Sequence, residues 1–135
     1  MACLFLTATY FVFCLRLTYF REWQYQADLK KVYDVVACYN HSRNVRDVET
    51  GWWYHGGSNF YRMLSGRETF APFTSSQPHP SGRPLYILNG VFEQDFIAAE
   101  QLKIVYRGES TDIVVAVRPE LADPPLEQYC AAANP

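Results

Sequence analysis

Residues 102–117 read LKIVYRGESTDIVVAV, and the fold turns on this stretch. Residues 102–106 and 113–117 are apolar runs rich in β-branched and aromatic side chains. The link between them, Arg107-Gly108-Glu109-Ser110-Thr111-Asp112, is polar and carries turn chemistry. This pattern predicts an antiparallel hairpin with a loop longer than the two-residue kind. The second run is apolar at each position, which predicts a strand covered on both faces, near the centre of a sheet.

Toward the N-terminus, residues 84–92 (PLYILNGVF) predict a strand interrupted at Asn89-Gly90 by a bulge or a turn, and residues 96–100 a link to the hairpin. Residues 74–83 (TSSQPHPSGR) read as a surface loop, and residues 68–73 as a strand with Phe70 and Phe73 half-buried. Residues 59–64 form a short aromatic segment. Val45, Val48 and Trp52 recur at helical spacing, with Asn44 as a candidate N-cap and Asp47 in the first turn; Gly56-Gly57 would end that helix. One helix is therefore expected over residues 45–55. Residues 40–44 are turn-rich, residues 32–39 read as a strand carrying Cys38, and residues 19–31 as a leader. Beyond the hairpin, residues 119–125 are irregular and residues 126–130 read as an edge strand. The expected fold is α+β: one α-helix packed on a twisted antiparallel sheet.

The chain has 135 residues, with hydrophobic content of 49%, aromatic content of 16% and charged content of 19%. That length suits one domain with a core. A formal charge of −2 argues against a basic nucleic-acid glove or a polybasic membrane patch. Residues 2–15 (ACLFLTATYFVFCL) carry no charge, which predicts the apolar part of a signal peptide over residues 1–20 and a single domain over residues 21–135. A membrane anchor and a buried element are the alternatives for that run; it is short for a span. Four cysteines are present. Cys3 and Cys14 fall in the expected signal, leaving Cys38 and Cys130 either as one disulfide closing nearly the whole domain or as two unpaired buried thiols. No Cys-x-x-Cys or paired-His spacing suggests a metal site, and no cofactor is expected.

The ordered segments resemble the guanyl-specific extracellular ribonucleases of fungi. Cys38-Tyr39-Asn40 followed by Val45, Val48 and Trp52 resembles that family's Cys, turn and helix opening. Phe60-Tyr61-Arg62 resembles its Tyr-Pro-His strand, residues 85–90 its Glu-aromatic-Pro-Ile strand, and residues 103–106 its Asp-Arg-Val-Val-Phe strand. Residues 113–118 resemble the strand ending in the catalytic His, and residues 126–130 the terminal Phe-x-x-Cys segment. A short secreted chain of this kind is similar to the ribonuclease-like effectors of powdery mildew fungi, although Val36 stands where those proteins carry the aromatic of an aromatic-x-Cys.

The resemblance implies cleavage chemistry that needs a base, an acid and cations around a phosphoryl group. Carried over residue by residue, the first catalytic His becomes Met63, the Glu becomes Pro84 or Leu85, the Arg becomes Lys103 and the second His becomes Arg118. Tyr61 is kept in kind. None of the replacements exchanges a proton near neutral pH. The expectation is a catalytically inactive, ribonuclease-like secreted effector. It would be monomeric, not membrane-bound after signal removal and delivered into a plant cell, with a host protein such as an immune receptor as partner. An active ribonuclease with relocated catalytic residues and a small secreted β-barrel are the alternatives. Tyr61, Arg62, Lys103 and Arg118 are candidates for an RNA- or ligand-binding face, set against the plainer reading that the cations pair with acids. His41, His55 and His79 read as surface residues. In Trp52-Trp53-Tyr54, Trp52 is expected inward, and Trp53 or Tyr54 outward as a partner surface unless a loop covers it.

Overall fold

The computed structural model describes residues 4–12, 26–64, 70–73, 82–123, 126 and 130. In chain order its elements are helix α1 (residues 4–12), helix α2 (Leu29–Arg43), strand β1 (Val48–Thr50), helix α3 (His55–Leu64), strand β2 (Leu85–Asn89), helix α4 (Gln94–Ala99), strands β3 (Lys103–Arg107) and β4 (Ile113–Val117), and a 3-10 turn, η1 (Pro119–Leu121). The fold is α+β, with a four-stranded mixed sheet in the order β1-β2-β4-β3. Among the described residues no helix is long and apolar enough to cross a membrane.

The hairpin forms as expected. β3 and β4 are antiparallel, Lys103 stands opposite Val117 and Arg107 opposite Val114, and β4 is buried along its whole length between β2 and β3. A register shift between Ile104 and Tyr106 bulges the outer strand. The link is pinned from outside: Asp28 Oδ2 accepts the Ser110 and Thr111 N–H groups at 2.8 and 2.9 Å and the Thr111 hydroxyl at 3.0 Å. β2 pairs antiparallel with β4 and ends at Asn89, where the expected interruption is a turn into α4.

Strict alternation splits the core into two layers. Leu85, Ile87, Ile113, Val115 and Val117 pack with α2 and with Tyr54, Phe70 and Phe73; Tyr86, Leu88, Val114 and Ala116 pack with Ile97 of α4 and Leu102. Within α2, Leu29, Val32, Tyr33, Val36, Tyr39 and Asn40 are buried. Their spacing is the i, i+3, i+4, i+7 stripe of a helix lying on a sheet. Cys38 on α2 is bonded to Cys130, with Cα atoms 4.9 Å apart.

Several local expectations are corrected, and the single expected helix gives way to α2, α3 and α4. Residues 32–39 are helical rather than a strand, because the Val and Tyr residues form a stripe that the sheet can bury. Residues 45–55 are not a helix: Asn44 is the left-handed C-cap of α2 (φ 53°), its N–H donating to Asn40 O, and Val48–Thr50 continue as a strand. That strand runs parallel to β2, with Val48 opposite Leu85, so the sheet is mixed rather than wholly antiparallel. Gly56-Gly57 lie in the first turn of α3 instead of ending a helix. A Cβ on Gly57 would collide with Leu29 Cδ2, so the missing side chain lets α3 approach α2. The aromatic segment of residues 59–64 belongs to α3, residues 96–99 of the expected link belong to α4, and Leu126 and Cys130 are helical rather than in an edge strand. Phe70 and Phe73 are buried but not in a strand. Residues 13–25, residues 65–69, residues 74–81 and residues 127–129 lie outside the described residues. These segments include parts of the expected signal, leader, 68–73 strand and surface loop.

Candidate functional site

The residues proposed for an RNA face do not converge. Tyr61 is half-buried on α3 against Tyr33 of α2, ring centroids 6.1 Å apart. Arg62 turns its Nη1 to Phe70 O at 3.5 Å. Lys103 opens the exposed edge strand β3, and its partner Val117 immediately precedes Arg118. Arg118 is committed to Glu100 (Nη2–Oε2 3.3 Å) and to Arg83 O (3.0 Å from Nε). Lys103 and Arg118 therefore lie at the same end of the hairpin, on alternating positions that face opposite sides of the sheet. Tyr61 and Arg62 belong to the α2–α3 layer, while the Arg118 partner Glu100 caps α4 over the other face. Met63 is exposed on α3.

A different edge gathers polar and aromatic groups. β1 and β2 are parallel and leave the sheet side by side, the first into the turn of residues 51–54 and the second into that of residues 90–93. The ends of parallel strands are open in this way because each chain must rise off the sheet into its next helix. Gly51 N–H continues the ladder by donating to Ile87 O at 2.9 Å, and Tyr54 N–H closes the turn on Gly51 O at 3.0 Å. Gly51 lies against Glu93: a Cβ there would sit 2.8 Å from Glu93 Oε1.

Asn89 organises the second turn. Its side-chain oxygen accepts the Val91 and Phe92 N–H groups at 2.9 and 3.0 Å, and its amide donates to Tyr54 Oη at 3.2 Å. Glu93 Oε2 reaches back to accept Asn89 N–H at 2.5 Å. Glu93 N–H donates in turn to the Asn89 main-chain carbonyl at 3.0 Å, so the two residues close the turn on each other. Burial pushes the Glu93 carboxyl above the ordinary range, against the Asn89 N–H that lowers it. Tyr54 is also raised, first by burial and then by the charges of Glu93 and Asp112, while the Asn89 bond opposes the shift.

Around this polar floor stand exposed rings. Trp52 and Trp53 are 49% and 53% exposed, with ring centroids 4.1 Å apart, and Phe92 on the neighbouring turn is 74% exposed. The inward residue of the triplet is Tyr54, which reverses the expectation for Trp52 and Tyr54. A turn, not a helix, carries them, so helical spacing does not apply. His55 Nδ1 lies 2.6 Å from Trp52 O and donates to it, which leaves Nε2 as an acceptor when the ring is neutral. His41 is exposed, and His79 lies outside the described residues.

Sequence reasoning selected Trp53 and Tyr54 here but missed Glu93, Asn89 and Phe92. The signal was present as Asn89-Gly90 followed by an acid at Glu93, a turn whose first residue caps it and whose last reaches back. Among the described residues no group of three or more His, Cys, Asp or Glu forms a candidate metal cluster. Comparison of the chain with protein-family models, with curated proteins and with solved structures gives no match.

Proposed function

We propose that this chain is a secreted effector of the ribonuclease-like kind found in powdery mildew fungi, without catalytic activity, that acts by binding a host protein. The observation that carries the reading is the pairing of exposed rings with buried support. Trp52 and Trp53 stand out from a turn that Tyr54, Asn89 and Glu93 hold rigid, and rigid aromatic anchors are what protein partners engage. The disulfide between Cys38 and Cys130 suits an oxidising route out of the cell. The side chains at the resembling catalytic positions, Met63, Pro84 or Leu85, Lys103 and Arg118, are not proton-transfer groups at neutral pH, which supports binding over cleavage. RNA is the weaker partner because Arg118 is already paired and Tyr61 is packed on Tyr33, so these two candidates do not supply a stacking ring beside a free cation.

The test has two arms. The oxidised protein is expected to show no turnover of a dinucleotide substrate; turnover lost on Arg118→Ala or His41→Ala overturns the reading in favour of an active ribonuclease. Capture of plant-extract partners by the immobilised protein is expected to survive nuclease treatment, and loss of all partners on that treatment assigns the interaction to RNA.

A further inference from the structure

The exposed tryptophans follow Gly51 in the chain, and Gly51 packs against Glu93 at this edge. Glu93 is half-buried with Oε2 spent on Asn89 N–H, while Oε1 makes no hydrogen bond among the described residues. Asp95 is exposed in the first turn of α4, and Asp112 is exposed where its carbonyl accepts Gly90 N–H at 2.7 Å. Against these acids stand Arg107, whose Nη1 packs over Gly90 (2.9 Å from where a Cβ would be), and His55, whose Nδ1 is held by Trp52 O. Glu93, Asp95, Arg107 and Asp112 have no ion pair among the described residues.

From this juxtaposition we infer that the edge formed by Trp52, Trp53, Phe92 and Glu93 is a docking site for an arginine or lysine side chain in a basic segment of a protein partner. The inference rests on the reading of the chain as a non-catalytic binding protein. A cation over an indole face is attracted by the ring's quadrupole, and a carboxylate oxygen without a donor gives the same cation its counter-charge. The acids of the edge favour a basic partner over a nucleic acid, whose phosphates they would repel. Glu93 is expensive to hold charged in its half-buried setting, and an incoming guanidinium removes that cost. Binding therefore weakens as pH falls and the carboxyl takes up its proton; Tyr54, His55, Asp95, Arg107 and Asp112 are the other titratable or charged groups on the elements that build this edge.

The test is titration of the oxidised full chain with an arginine-bearing hexapeptide, its glutamine-substituted twin and a uridine oligonucleotide. It is followed by tryptophan emission and by calorimetry at pH 4.5 and pH 7.5. The arginine peptide is expected to bind saturably at pH 7.5, with the glutamine twin about tenfold weaker or worse. Trp53→Ala and Glu93→Gln should each weaken the arginine peptide by about tenfold, and Glu93→Gln should remove most of the pH dependence. Both Trp53 (exposed) and Glu93→Gln (which keeps an acceptor for Asn89 N–H) leave the fold intact, checked by an unchanged circular dichroism spectrum. Equal binding of the two peptides, indifference to Glu93→Gln, or saturable binding of the oligonucleotide alone overturns the proposal. If host partners are captured equally by the Trp53→Ala protein, this surface is wrong and the effector reading stands. If neither peptide nor host protein binds, the effector reading itself falls.

Discussion

Asp28 and Glu93 are both carboxylates held by main-chain N–H groups, and their pKa values move in opposite directions. Burial raises Asp28, but the Ser110 N–H, the Thr111 hydroxyl and N–H, and Lys31 together bring it below its usual value. A depressed carboxyl contributes stability that is complete above the unfolded value near 3.8 and disappears as pH falls through the folded value. Asp28→Ala leaves two loop N–H groups without their acceptor and should cost about 1–3 kcal/mol in urea unfolding at pH 7. Asp28→Asn should flatten the acid limb of stability below about pH 4, since it removes the titrating group. Glu93 carries the reverse sign. Its raised carboxyl favours the fold below the unfolded value of 4.5, and that contribution is lost as pH rises through the folded value. Thermal melts of Glu93→Gln should therefore lie above those of the parent at pH 7 and converge with them toward pH 4. A variant more stable yet poorer in peptide binding would separate the site's function from its folding.

At the scale of elements, α2 carries the larger share of one core layer. Val36 is fully buried in its stripe, whereas Lys30 is exposed and pairs with Asp34 in solvent. Val36→Ala should cost about 2 kcal/mol, and Lys30→Ala should leave the melting temperature unchanged; a similar effect from both would contradict this orientation of the helix. Gly57→Ala tests the α2–α3 contact, because the new methyl meets Leu29 inside a packed interface and should destabilise by about 1–3 kcal/mol. At the sheet margin, β3 manages its exposed edge with Lys103 and a bulge after Ile104, both devices that discourage strand addition.

For the whole molecule, the bond between Cys38 and Cys130 spans 92 residues and ties α2 to the C-terminal region. In the loop-entropy account such a closure stabilises by about 4 kcal/mol. The double variant Cys38→Ser, Cys130→Ser should lose stability of that order in denaturant unfolding under oxidising conditions, and a loss below about 1 kcal/mol would show that the loop is already constrained without the bond.

The hairpin, the β2 strand, the disulfide pairing and the α+β class were legible in the residues. Each rests on local pattern or on counting: alternation, a polar turn, two cysteines left over. The helical stripe of α2 was equally present, yet Val32, Val35 and Val36 also suit a strand, and only a sheet beneath them selects the helix. The parallel pairing of β1 with β2 could not be read at all, because three residues carry no partner information and the crossover through α3 decides it. The candidate site depends on that pairing. The 52–53 and 92–93 pairs are about forty positions apart in sequence and reach one edge because two strands leave the sheet there in the same direction. The residues alone supplied rings, acids and turns; which of them share a surface is a long-range matter of strand direction, settled by tertiary packing.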